Sequence, residues 1–559
     1  MSSDTHPLAS SADSIVSTDS ISESESEPLL SQTDVERAGK SADEEEELID
    51  QIEEEELSSS ALLSVFVSLY VGIFLAALDG TIVATLLAHI ASEFNEFRSV
   101  SWIATGYMIV LAAFQPLYGK ISDIYGRKPV LLVCNVLFGV GSVLCGIAPT
   151  MWFLVIARMV AGLGGGGLTS LTAITLSDIV PLRQRGVLQG IGNILWGCGA
   201  AFGGVVGGLI TETFGWRWAF LSQGPIIALS ILSIIFNLNL PPKDAENSRD
   251  KLKRIDFLGS FTLVVALVTF LLAASIGGTY YPWFSGQVIV SLLFSATFFC
   301  AFIYVELFIA REPIIPLQLL ANPTVFGSSF TSWFMNMTYY AQIYYIAIYF
   351  IAVQGISETR SGSTLIPHFI GDSIGALIVG YYMRATGRYF PMIVLAAICM
   401  IFGSLILCFV GMNTSRWLIM AIVFWPGFGF GLYLTITLIA LVAAVPHEFQ
   451  AVSTSIQYGF KGTGSTLGIS LSTAVFQNVL AAKLSRAITG PGAEEIINRV
   501  KDSIDEVHNL PPEMQDAVIH SYLDSVRAVF IFATVLSVLC AGTSFMMKEH
   551  KLHTSVRRR

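Results

Sequence analysis

Long apolar runs alternate with short polar connections along almost the whole chain. Runs near 20 residues, the length at which a helix crosses the hydrocarbon core of a bilayer, fall at 61–88, 100–118, 129–148, 151–174, 187–210 and 218–239. Two more follow at 257–277 and 287–309, and a last set at 324–352, 364–383, 391–411, 417–444, 453–478 and 526–546. The pattern predicts an all-α membrane protein with fourteen transmembrane helices. An even count puts both termini on one side.

Composition sharpens this. The chain is 53% apolar and only 13% charged, about half the charge of a soluble chain, and its mean hydropathy is +0.65. That excludes a soluble enzyme, a nucleic-acid module and a disulfide-built secreted domain. The net charge of -11 is unevenly spread: residues 1–60 hold 18 acidic groups against Arg37 and Lys40, leaving the body mildly basic. This Ser/Glu-rich tail cannot bury enough apolar area to fold and is expected to be disordered. It lacks the basic start and cleavage site of a signal peptide, so the first span is expected to stay. Seven scattered cysteines make no disulfide framework and have no metal-ligand spacing. No catalytic constellation is visible.

Lys and Arg set the orientation. With a cytosolic N-terminus, the cytosolic connections and C-terminal tail carry 18 basic residues and the short loops opposite only Arg98, Arg217, Arg360 and Arg416. This is the positive-inside bias of a chain with cytosolic termini. The 479–525 segment is predicted to be a long lumenal loop.

An internal repeat runs through the spans. Gly119, Asp123, Gly126 and Arg127, with Lys128 after them, follow span 2, and Gly380, Arg384, Gly387 and Arg388 follow span 10 at an offset of 261. Trp152, Gly162, Gly164, Gly166, Pro181, Gly199 and Gly203 recur 265 residues later as Trp417, Gly427, Gly429, Gly431, Pro446, Gly464 and Gly468. The predicted organisation is a tail (1–60), six spans (61–239), a linker bearing two inserted spans (240–321), six spans in parallel repeat (322–546) and a basic tail (547–559).

Two parallel six-helix halves are the arrangement of the major facilitator superfamily, and the motifs resemble it in detail. The run Gly119–Lys128 is similar to that family's signature loop. Arg158, Gly162 and Gly164 resemble its span-4 motif. Gly190, Gly199, Gly203, Gly207 and Gly208 resemble its span-5 antiporter motif, with Gly204 where proline is expected. Leu78-Asp79-Gly80-Thr81 and Gly215-Trp216-Arg217-Trp218 are similar to the fourteen-span drug:proton antiporters. Within that group the chain looks most like the fungal vacuolar basic amino acid transporters. Glu25, Leu29 and Leu30 match an acidic dileucine signal read by sorting adaptors.

The resemblance implies a proton-coupled antiporter carrying lysine, arginine and histidine from cytosol to vacuole. The proton gradient would be the energy source, with no cofactor, metal or nucleic acid, and the protein would act as a monomer. The alternatives are a plasma-membrane organic-cation:proton antiporter and a non-transporting nutrient receptor.

Intramembrane charges are the first functional candidates. Asp79 in span 1 either exchanges a proton for a cation or forms a fixed ion pair with Arg158 of span 4. Lys461 in span 13 either pairs with Asp372 of span 10 or snorkels toward an end; Asp372, one turn after His368, is a second candidate proton site. Asn193, Trp196, Trp333, Asn336, Tyr340 and Tyr344 are candidates for the cavity wall, where aromatic faces attract cations. Asp123, Arg127 and Lys128 form a gating loop in which Arg127 could reach Asp178. Asn413 heads a glycosylation sequon in a short lumenal loop.

Overall fold

The computed structural model describes residues 59–94, 96, 99–180, 182–238, 248–356, 358–488, 497 and 512–550. The acidic tail, with Glu25, Leu29 and Leu30, lies outside the described residues. Fourteen long helices follow one another among those described. The first six are α1 (Ser59–Phe94), α2 (Trp102–Tyr125), α3 (Arg127–Gly146), α4 (Met151–Ile179), α5 (Leu182–Phe214) and α6 (Trp216–Asn237). Next come α7 (Phe257–Ile276) and α8 (Gly286–Phe308), and then α9 (Pro323–Ile348), α10 (Ile366–Thr386) and α11 (Phe390–Leu407). The last are α12 (Arg416–Ala443), α13 (Gln450–Ala487) and α14 (Pro512–Ser544).

Twelve of these are long and apolar enough to cross a membrane. The exceptions are α2 and α9, which have the length but not the apolar content. Gln115, Pro116 and Lys120 dilute α2, and Ser328, Ser329, Thr331, Ser332, Asn336 and Gln342 dilute α9. Lys120 pairs with Glu312 at the helix end, and the other polar groups are buried against protein rather than exposed to lipid, which is where such groups can be satisfied.

Local chemistry sets the helix ends. Thr150 caps α4 by accepting from the Phe153 amide, Asp256 caps α7 through the Gly259 amide, and Asn322 precedes Pro323 at the start of α9. The repeated loops turn on equivalent glycines: Gly126, between α2 and α3, has φ 90°, and Gly387, after α10, has φ 69°. Only glycine takes those angles without strain.

Equivalent positions of the repeat also make equivalent contacts. A Cβ on Gly162 of α4 would lie 2.6 Å from the Tyr107 carbonyl of α2, and one on Gly427 of α12 would strike the His368 carbonyl of α10. Likewise Gly164 presses on Phe138 of α3 and Gly429 on Met400 of α11. Small residues are what allow backbones this close without a solvent-driven force between helices.

The first and last six helices meet along two seams, α2 on α13 and α5 on α10. At the end bearing the signature loop they nearly touch. A Cβ on Gly119 would be 2.5 Å from the Ala451 carbonyl, and one on Gly380 2.7 Å from that of Gly186. Of the inserted pair, α7 packs across the α2–α13 seam and α8 packs on α7, leaving Val290, Leu293, Tyr304 and Phe308 exposed. The expected 479–525 loop is shorter than its polarity implies. Helix α13 continues to Ala487 and α14 begins at Pro512, because Leu480, Leu484, Val518 and Tyr522 pack together and Lys483 pairs with Asp524 at 2.5 Å.

Packing this tight gives a sharp contrast between glycines. Gly371→Leu would drive a side chain into the Phe424 carbonyl, 2.5 Å from the Cβ position. It should lower the apparent melting temperature in detergent by several degrees, in keeping with about 1–3 kcal/mol for overpacking. Gly208→Ala, with nothing within 4 Å, should leave it unchanged or slightly raised; equal losses would contradict the packing.

Candidate functional site

Between the two sets of six helices lies a cavity of about 240 Å³. Helices α1, α2, α4 and α5 supply one wall and α9, α10, α12 and α13 the other. Of the expected wall residues, Asn193, Trp196, Asn336 and Tyr340 line it. Trp333 and Tyr344 do not. Trp333 instead packs with Phe330 and Phe460, ring centroids 5.8 and 6.4 Å away, and Tyr344 is 46% exposed. An aromatic-rich helix points some rings inward and others into packing or outward, and α9 does all three.

Asp79 and Arg158 are brought together. Arg158 Nη1 donates to Asp79 Oδ2 at 2.5 Å, with the two side chains 0% and 1% exposed. Gln223 Nε2 of α6 donates to the other carboxylate oxygen at 3.3 Å. The pair sits behind the cavity wall. Tyr107, which does line the cavity, lies over the guanidinium with 4.1 Å from its carbon to the ring centroid. The Tyr107 hydroxyl and Arg158 Nε have no hydrogen-bond partner. In so dry a place a closed pair is stable only with both members present.

The last six helices hold a second buried acid in a comparable place. Asp372 is 2% exposed and its Oδ1 has no hydrogen-bond partner. His368 donates a hydrogen bond from Nδ1 to the Val423 carbonyl, 3.1 Å away. Both lie behind Tyr339 and Phe430, which line the cavity and stack at 4.1 Å. Asp372 makes no ion pair with Lys461, contrary to one sequence-based expectation. Lys461 faces the cavity instead, with its ammonium 4.6 Å from the Tyr458 ring centroid. The second expectation, snorkelling to a helix end, also fails, since Lys461 lies mid-helix and is 8% exposed.

At the signature-loop end, Arg127 Nε pairs with Asp178 at 2.7 Å and Nη1 with Asp123 at 2.8 Å. Lys128 is not part of this cluster; it donates to the Ile235 carbonyl. A larger charged cavity, about 1490 Å³, opens beside it. There Glu312, after α8, accepts from Lys120 at 2.8 Å and from Arg254 at 2.9 Å, tying the inserted pair to α2. Burial would raise the Glu312 carboxyl, but those two hydrogen bonds and charges hold it below the usual carboxylate value. At the opposite end Glu93 accepts from Trp216 and Arg217 of the Gly-Trp-Arg-Trp run, at 2.6 and 2.7 Å. Burial acts upward on Glu93 too, and these partners keep it low.

The glycines of the span-5 motif divide. Gly190 lies against Ala376 of α10, while a Cβ on Gly199 or Gly203 would be 2.5 Å from the Phe74 carbonyl or 2.7 Å from the Leu78 carbonyl of α1. Gly208 faces open space, and Gly207 is buried and accepts a hydrogen bond from Thr211. Asn413 is exposed in the α11–α12 turn. Sequence reasoning missed Tyr107, Gln115, Gln189 and Gln223. The three amides carried a usable signal, being polar groups within apolar spans.

The Major Facilitator Superfamily profile matches residues 69–469. The chain is 36% identical to the vacuolar membrane amino acid uptake transporter fnx2 of Schizosaccharomyces pombe, covering 89% of this chain and 86% of that one. It is 37% identical to the multidrug resistance protein fnx1 of the same yeast, over 88% and 93%. With vacuolar basic amino acid transporter 1 of Saccharomyces cerevisiae it shares 33% identity over 75% and 78%. Among solved structures, the proton:xylose symporter XylE has the same fold, with a TM-score of 0.57 at 14% identity over 88% and 98% of the two chains.

The buried pair predicts a specific pattern. Asp79→Asn strands the Arg158 charge and should cost roughly 3–5 kcal/mol, read as a large fall in thermal stability in detergent. Asp79→Asn combined with Arg158→Gln should recover most of that loss. A double variant as unstable as the single one would contradict the closed pair.

Proposed function

The chain belongs to the Major Facilitator Superfamily, and from that membership we propose that it is a proton-coupled antiporter. It carries basic amino acids (lysine, arginine, histidine) from the cytosol into the vacuole by alternating access. On this reading the polypeptide crosses the membrane fourteen times, α2 and α9 included, with both termini cytosolic. The supporting observation is the Asp79–Arg158 pair, sealed behind Tyr107 at the edge of the central cavity. The names of two relatives, a vacuolar amino acid uptake transporter and a vacuolar basic amino acid transporter, agree with the cargo and the compartment.

The mechanism follows from charge balance. A lumenal proton on Asp79 neutralises the partner of Arg158, and the freed guanidinium must find another acceptor. Tyr107 rests on that guanidinium and also faces the cargo cavity, so opening the pair alters the wall against which cargo packs. Returning the proton to the cytosol restores the pair. The Gly119 and Gly380 contacts hold the cytosolic ends of the two halves together in the lumen-facing state and part as the halves rock, while the Arg127–Asp178–Asp123 cluster fixes the ends of α2, α3 and α4 beside them. Asp372 beside His368 is a second proton site. The protein is monomeric, uses no cofactor and reaches the vacuole through an adaptor that reads Glu25, Leu29 and Leu30.

A plasma-membrane exporter of organic cations is the competing reading, favoured by the similarity to fnx1. Uptake of labelled lysine into acidified vesicles separates the two. Wild-type protein should accumulate lysine, lose accumulation when an uncoupler is added, and be disabled by Asp79→Asn at matched protein level. Undiminished uptake by that variant would overturn the coupling role of Asp79, and a drug cation preferred over every amino acid would favour the exporter.

A further inference from the structure

Among the described residues the wall of the central cavity contains no Asp or Glu, and Lys461 is its single formal charge. A cation carrier with a cationic wall is a contradiction if its cargo is only a cation. It is resolved if the cargo also carries an anionic group. We propose that Lys461 is the specificity residue that binds the α-carboxylate of an amino acid, so that the site requires this group and rejects amines lacking it. This rests on the amino acid reading given above and adds to it the atom by which the cargo is recognised.

The environment of Lys461 fits the role. No carboxylate among the described residues pairs with it, and its ammonium rests over the face of Tyr458. A buried cation without an anion costs several kcal/mol, and an incoming carboxylate removes that cost. The group therefore favours a ligand that brings the missing charge. Its helix position also matters. The next residue, Gly462, lies against α2, where a Cβ would be 3.0 Å from Ala112 Cα and would strike Gln115. A carboxylate held by Lys461 thus sits at the seam between the halves, where its binding can bear on their closure. The remainder of a basic amino acid needs neutral acceptors and aromatic faces. The wall offers both: Gln115 Oε1, buried and without a hydrogen-bond partner, together with Trp196 and Tyr340. Rings of this kind attract ammonium and guanidinium groups without needing a carboxylate.

Lysine and cadaverine (1,5-diaminopentane) differ only in the carboxylate, and they make the test. In proteoliposomes of the full chain with an acidic interior, wild-type protein should take up lysine and be inhibited by cadaverine only at roughly tenfold or more higher concentration. Lys461→Gln should raise the KM for lysine roughly tenfold or more and bring the two ligands to parity, and Lys461→Arg should restore the preference. Thermal stabilisation by cadaverine checks that the glutamine variant is folded. Wild type accepting cadaverine as well as lysine, or Lys461→Gln keeping the preference, would overturn the carboxylate role while leaving lysine transport standing. A wild-type protein that moves no amino acid at all would overturn the functional reading itself.

Discussion

Charge in a medium that cannot hydrate it governs this molecule. An isolated ion in the membrane interior is costly, so each buried charge must have a partner, a cavity or a proton. Asp79 and Arg158 have each other. Lys461 has the central cavity. Asp372 has neither a cation nor a place on the cavity wall, which sets it apart as a group that must be held by other means. Three solutions to one problem are gathered round one cavity.

The remaining architecture makes such a cavity possible. Glycines at fixed registers let α4 and α12 approach their neighbours backbone to backbone, and the same device joins the halves at the signature-loop end. The cavity survives where side chains are bulky and the seams part. The inserted α7 lies across one of those seams, and Glu312 fixes the segment after α8 to α2 through Lys120. The inserted pair is therefore attached to both halves at the α2–α13 seam, not merely appended to the chain.

Much of this was legible in the sequence. The constant spacing that links Gly162 with Gly427 and Gly164 with Gly429 corresponds to equivalent contacts in space, and both signature loops turn on a left-handed glycine. The Asp79–Arg158 and Arg127–Asp178 pairs could be anticipated because an unpaired charge in an apolar helix is so improbable. The facing of aromatic residues could not. A spanning helix is apolar on all sides, so periodicity does not tell inside from lipid, and Trp333 and Tyr344 read like Tyr340 although only Tyr340 reaches the cavity. The partner of Lys461 was misjudged for a related reason: spacing shows that charges share a membrane, not that they share a site. Polarity also misled at the α13–α14 connection, where tertiary packing and the Lys483–Asp524 pair extend helices into a segment that reads as loop.

Proton release on cargo binding tests the central claim most directly. Lysine is added to purified protein in weakly buffered detergent at the acidic, lumen-like pH at which the mechanism loads a proton onto Asp79, and the pH is followed with an indicator dye. Exchange through Asp79 predicts that lysine expels protons from the wild type and that Asp79→Asn, while still binding lysine, expels none. The same release from both proteins would contradict it.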